Sequence, residues 1–246
     1  MKTIQKIALL LVLSTNLPAY SFAGDLNNGI FQLNRGEFKA AIAEFEPLVK
    51  DQYSPAQYQM ALVYLNGWGV KKNPQKAVEL LELSAAQHYP DALISLSTMY
   101  TEGELVKQDL KVAFTLMEKA ANKDFPRAQF NVAVMYAQAA GVPKNLENAA
   151  RWYEKAARQN YTLAQFNLAL MYFEGKGVKQ STEMSYVWNH IAARDGYVPA
   201  QKSRDMDKRK LSLAQVKASE EQADSLYAQI IEQIALKNKI QTESIY

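Results

Sequence analysis

Few residues in this chain have the type and spacing for chemistry, and the densest group sits in one loop. Asn66 to Ala77 reads NGWGVKKNPQKA. Two glycines followed by Lys71 and Lys72 are the ingredients of a phosphate cradle: glycine lets backbone N–H groups approach an anion, and lysine neutralises it. His88 and His190 are the only imidazoles, and cysteine is absent, which excludes a cysteine-built zinc site. No Ser-x-x-Lys, Gly-x-Ser-x-Gly, His-Glu-x-x-His or Walker-type segment occurs. Carboxylates such as Glu79, Glu82 and Glu118 are scattered as on solvated helix faces. The sequence therefore offers no catalytic set, no metal ligands and no cofactor site.

The loop loses its phosphate reading once its siblings are set beside it. They are EGELVKQDLKVA from Glu102, QAAGVPKNLENA from Gln138 and EGKGVKQSTEMS from Glu174. Glycine comes and goes, and Lys71 becomes Pro143. What persists is Val70, Val106, Val142 and Val178, together with Asn73, Asp109, Asn145 and Ser181. These are the marks of a joint. Glycine turns the chain out of one helix, valine plugs the hinge, and a short polar residue caps the next helix.

The elements on either side repeat in phase. Ala56, Ala92, Ala128, Ala164 and Ala200 recur every 36 residues, as do Tyr64, Tyr100, Tyr136 and Tyr172. Each copy reads as two helices. Ala56, Met60 and Tyr64 form one apolar stripe, and Ala77, Leu80, Leu81 and Ser84 form the second. Neither helix can bury its stripe alone, so copies must stack. Tyr89, Phe125, Tyr161 and Tyr197 end the second helices and are expected to pack their rings at the joints between units.

This pattern, A-x-x-x-L-A-x-x-Y-x-x-G-x-G-V followed by a cap and A-x-x-(W/Y)-x-x-x-A-A, resembles the Sel-one-like repeat (SLR) family, a branch of the tetratricopeptide superfamily. The resemblance covers residues 54 to 200. It departs at Leu105 and Ala139, which replace glycines, and at Ser185, which replaces an alanine. It implies an all-α fold, a right-handed α/α superhelical solenoid with a C-terminal capping helix and with first helices lining a concave face. It also implies protein–protein interaction, in envelope assembly, secretion, signalling or host contact. Some cysteine-rich relatives are described as penicillin-binding or β-lactamase-like, and the missing cysteine framework makes that transfer poor. A cell-wall-directed or β-lactam hydrolase stays open as an alternative. So does a structural subunit of a polysaccharide-export or envelope complex, in which Trp68, Trp152 and Trp188 would stack on sugars. Trp152 and Trp188 occupy the places of Leu80 and Leu116, which favours core packing for both.

The organisation expected is a secretory signal peptide over 1–23, a tetratricopeptide-like capping hairpin over 24–53 and four repeats over 54–197. A partial repeat and a C-terminal capping helix follow over 198–236, then a flexible tail over 237–246. The leader rests on Lys2, Lys6, the apolar run Ile7 to Leu13 and small residues at Ser21 and Ala23. It implies an exported protein, in the periplasm or secreted, with no membrane embedding after cleavage. Lys2 and Lys6 are two of 28 basic residues; the rest nearly balance 25 acidic ones. That excludes the basic footprint of a nucleic-acid binder.

Binding is better supported than catalysis. A stripe at i, i+4, i+7 on the first helices runs through Gln59, Val63 and Asn66. Its equivalents are Ser95, Met99 and Glu102, then Asn131, Met135 and Gln138, then Asn167, Met171 and Glu174. Amides can pair with the backbone of an extended peptide, and methionine adapts to varied apolar shapes. The stripe reads equally as a groove for a peptide or partner helix and as inter-repeat core braced by asparagines.

Overall fold

The computed structural model describes residues 24–243. The leader expected over Met1 to Ala23 lies outside the described residues. Twelve helices and no strand make up what is described: α1 (Leu26–Asn34), α2 (Phe38–Lys50), α3 (Ser54–Asn66), α4 (Pro74–Ala86), α5 (Pro90–Glu102), α6 (Leu110–Ala121), α7 (Pro126–Gln138), α8 (Leu146–Ala157), α9 (Thr162–Glu174), α10 (Thr182–Arg194), α11 (Val198–Lys208) and α12 (Leu213–Glu243). Helices pack in hairpins, and each hairpin packs on the next. The fold is the all-α solenoid that the 36-residue period implies.

The caps sit where the alignment of copies places them. Asn73 accepts from the Lys76 N–H at 3.1 Å, Asn145 from Asn148 at 2.9 Å and Ser181 from Met184 at 3.1 Å, while Asp109 accepts from both Lys111 and Val112. Each cap is worth about 1 kcal/mol. The same residues close the loop from the other side: the N–H of Asn73, Asp109, Asn145 and Ser181 donates to the carbonyl of Tyr64, Tyr100, Tyr136 and Tyr172, at 2.9–3.0 Å. That bond fixes the loop length and explains why cap and tyrosine recur together.

The buried stripes form three core clusters, the first two joined through the partly buried Tyr136 and Trp152. Ala56, Met60, Ala77, Leu80, Leu81 and Ser84 are all buried. At the joints, Tyr89, Tyr161 and Tyr197 meet Tyr58, Phe130 and Phe166 with ring centroids 5.3–5.5 Å apart. Phe125 departs from this and is 37% exposed. The position equivalent to Tyr58 holds Ile94 there, which offers no ring. Trp188 is buried and Trp152 is half-buried against the core, as their equivalence to leucines implies. Trp68 stacks on Phe38, 5.9 Å between centroids, and so joins the first repeat to the capping hairpin.

The C-terminal end breaks the solenoid pattern. Ser212 and Gln215 form the reciprocal capping box, Gln215 N–H to Ser212 Oγ and Ser212 N–H to Gln215 Oε1. From there α12 runs without glycine or proline for 31 residues. Val216, Ala223 and Ile230 are buried, with Leu226 and Ile234 packed beside them. The helix rests chiefly on α10 rather than α11. Gln215 bonds Glu183, Tyr186 bonds Glu220, and Arg194 pairs with Asp224 while lying over Tyr227. It then reaches back two repeats. Lys237 Nζ donates to Asp124 Oδ2 at 2.7 Å and to Gln159 at 3.2 Å. Residues 237–243, placed in the tail from sequence, are thus a continuation of this helix.

Candidate functional site

The first helices α3, α5, α7, α9 and α11 stand side by side with little direct contact, because the second helices fill the space behind them. Hollows remain between neighbours. One between α3 and α5, of about 270 Å³, is lined by Ser95, Met99 and Glu102 with Tyr58, Asp91 and Arg127. The next, between α5 and α7, of about 230 Å³, is lined by Asn131, Met135 and Gln138 with Thr98 and Met117. The structure thus brings two trios of the stripe to successive hollows.

Within each trio the burial differs. Val63, Met135 and Met171 are buried, and Met99 is half-buried. The methionine ladder is therefore largely core, and the part of the stripe open to a ligand is polar. Gln59, Ser95, Asn131 and Asn167 are half-buried; Asn66, Glu102, Gln138 and Glu174 are exposed. The Asn66 amide donates to its own helix at Leu62 O, 2.8 Å, so it braces a helix end. Asn131 Nδ2 contacts only Met117 Sδ, at 3.8 Å, which leaves most of its amide capacity unused. Burial raises the Tyr58 hydroxyl above its ordinary pKa, and its hydrogen bond with Ser95 opposes that.

A third hollow was not foreseen from sequence. It lies between α9 and α11, over α10, and measures about 90 Å³. Phe166, Leu170, Phe173 and Met206 form apolar walls; Ser185, Asn189, Ser203 and Asp207 supply the polar part. Ser185 Oγ donates to Asp207 Oδ2 at 2.8 Å, and Asn189 Nδ2 donates to the same oxygen at 3.1 Å. Asp207 and Asn189 are each 2% exposed. Burial raises the Asp207 carboxyl above its ordinary range, against the pull of the Ser185 and Asn189 hydrogen bonds and the Lys210 charge. Ser185 stood out in the sequence as a departure from alanine. The signal missed was that Asn189 and Asp207 depart from apolar positions at the same place.

No arrangement of three or more His, Cys, Asp or Glu fit to hold a metal exists among the described residues. His88 lies in a turn at φ 60°, the position held by Asp124, Asn160 and Gly196 in other copies. His190 packs against Tyr186, and burial together with the Arg194 and Arg204 charges lowers its pKa. No helix among the described residues is long and apolar enough to cross a membrane.

Comparison with known proteins agrees with this architecture. The family model described as Sel1 repeat matches four times, over residues 54–89, 90–125, 126–161 and 162–197. A Sel1 repeat protein from Oxalobacter formigenes superposes with a TM-score of 0.71 at 22% identity, covering 85% of each chain. The protein c5321, a protective antigen present in uropathogenic Escherichia coli strains and displaying an SLR fold, gives 0.50 at 24% identity, covering 91% of this chain and 56% of its own. No curated protein sequence matches.

Proposed function

This chain belongs to the Sel1 repeat family, and we propose that it is an exported, non-enzymatic scaffold that binds a partner peptide or helix along its first-helix face. Repeats of this kind generally mediate protein–protein interaction. The observation that carries the reading here is the pair of hollows between successive first helices, both edged by polar groups, with most of the Asn131 amide's hydrogen-bonding capacity unused. A stacked array holds these groups at fixed spacing, so little ordering entropy is lost on binding. The leader-like segment at Met1 to Ala23 supports export, with the periplasm as the destination and envelope assembly, secretion or host contact as the setting.

The test is a cross-linking pull-down from the native cell, with wild-type protein and an Asn131→Ala, Asn167→Ala double variant as baits. The expected result is a partner captured by the wild type and lost or strongly reduced with the variant. A partner retained in full by the variant would remove these asparagines from the binding face. Mass spectrometry of the purified protein is expected to find Gly24 at the N-terminus; an intact Met1 to Ala23 segment would count against export by cleavage.

A further inference from the structure

The third hollow differs from its siblings in a way that packing does not explain. The position of Ser185 holds Ala77, Ala113 and Ala149 in the other repeats. That of Asn189 holds Leu81, Met117 and Tyr153, and that of Asp207 holds Val63, Met99, Met135 and Met171. Three positions that are apolar in every other copy become polar together, and the fold brings those three side chains into hydrogen-bonding contact. A buried polar cluster costs stability that an apolar core would not, and local rules broken without a packing gain mark functional sites.

The cluster is also incomplete. Asn189 Oδ1 is buried with no hydrogen-bond partner. Asp207 has no basic side chain within ion-pairing distance among the described residues; the nearby Lys210 ammonium lies over the Phe173 ring instead, at 4.0 Å. A buried amide oxygen thus lacks a donor, and the buried carboxyl beside it, though it accepts from Ser185 and Asn189, lacks a counter-charge. The mouth above them is apolar and open, with Leu170 44% and Met206 54% exposed. At about 90 Å³ the cavity is well below the roughly 300–1,000 Å³ of a small-molecule site, and suits a single side chain.

We propose that this hollow is an anchor pocket for one basic side chain, lysine or arginine, of the bound partner. The aliphatic stem lies along Phe166, Leu170, Phe173 and Met206, as such stems do on apolar surface. The cationic head donates to Asp207 and to Asn189 Oδ1, which supplies the missing charge and the missing donor in charge-assisted bonds. The inference deepens the scaffold reading and rests on it, since it gives the groove a fixed register: the basic residue sits at the C-terminal end of the array.

The test titrates the purified protein with n-butylguanidinium chloride and with its neutral isostere n-butylurea at constant ionic strength, followed by amide NMR shifts. The expected result is saturable perturbation around Ser185, Asn189 and Asp207 by the cation, about tenfold stronger than by the urea. The Asp207→Asn variant is expected to lose that preference. A Ser185→Ala, Asn189→Leu, Asp207→Met variant restores the apolar pattern of the other copies, so it is expected to fold and to bind neither probe. Equal binding of the two probes, no saturable binding, or wild-type preference in Asp207→Asn each overturns the proposal. The wild-type comparison of probes decides the matter even if a variant fails to fold. No partner is used, so a failed titration beside a successful pull-down removes the anchor and leaves the scaffold reading standing.

Discussion

The carbonyl oxygen of Leu110, at the start of one repeat's second helix, faces Gly141 in the loop of the next repeat so closely that a Cβ on Gly141 would overlap it. Gly177 meets Leu146 in the same way one repeat later. The second loop glycine therefore serves stacking between repeats as well as the turn within one. Gly141 also has φ +76°, which an L side chain adopts at a cost of about 1–2 kcal/mol. Gly141→Ala is expected to cost roughly 2–4 kcal/mol in urea unfolding, because the neighbour it strikes is backbone and cannot rotate away. Leu105, at the equivalent place, is not among the positive-φ residues. Leu105→Gly should give no stabilisation.

Ala139 ends α7 in the left-handed region at φ 60°, where Gly67, Gly103 and Gly175 end α3, α5 and α9. Ala139→Gly removes the Cβ penalty and loses some unfolded-state restriction. A net gain of about 0.5–1 kcal/mol is expected, read as a higher denaturation midpoint. An unchanged or lower midpoint would show that this loop is held by something other than its helix end.

Asn145 both caps α8 and closes its loop onto Tyr136 O at 3.0 Å through its own N–H. Only the cap involves the side chain. Asn145→Ala should therefore lower stability by about 1 kcal/mol, while Asn145→Asp should preserve it near neutral pH. Circular dichroism melts of the two variants separate the outcomes.

The end of α12 is tied down by an acid-sensitive contact. Burial works against the charged form of Asp124, but hydrogen bonds from Lys237, Gln129 and Gln159 and the Lys237 charge outweigh it and hold the carboxyl below its ordinary pKa. A depressed folded-state pKa gives stability that is present above the unfolded value of 3.8 and lost as pH falls through the folded value. Amide exchange around Lys237, taken relative to its intrinsic rate at each pH, should lose protection in that acid range. In Asp124→Asn it should already be fast at neutral pH, with a flatter acid dependence. The group is largely exposed, so the effect is local rather than global.

Asp207 has the opposite sign. Its folded-state pKa is raised, chiefly by burial, so its contribution is fully present below the unfolded value of 3.8 and is lost as pH rises through the folded value. Asp207→Asn should accordingly be more stable than wild type near neutral pH. That advantage should shrink as pH falls towards 3.8. Paired urea titrations at the two pH values check this, and an advantage that grows in acid would contradict the assignment.

Much of this molecule is legible in its sequence because the repeat supplies its own alignment. Four copies in phase identify Asn73, Asp109, Asn145 and Ser181 as caps, and Ala56 and Leu81 as core, since position in a 36-residue unit fixes both helix face and neighbour. The loop at Gly67 and Gly69 loses its phosphate reading by the same comparison. What the period cannot carry is anything that departs from it. That α12 leaves the solenoid to lie on α10 and reach Asp124 depends on which apolar surfaces remain open after the repeats have stacked. The burial of Met135 and Met171 beside a half-buried Asn131 depends on how far apart neighbouring first helices stand. Ser185, Asn189 and Asp207 lie on two helices and are separated by up to 22 residues; each alone is an unremarkable polar substitution. Tertiary packing placed them around one buried oxygen, and burial turned three departures from a pattern into a hydrogen-bonded carboxyl without a counter-charge, with a cavity above it.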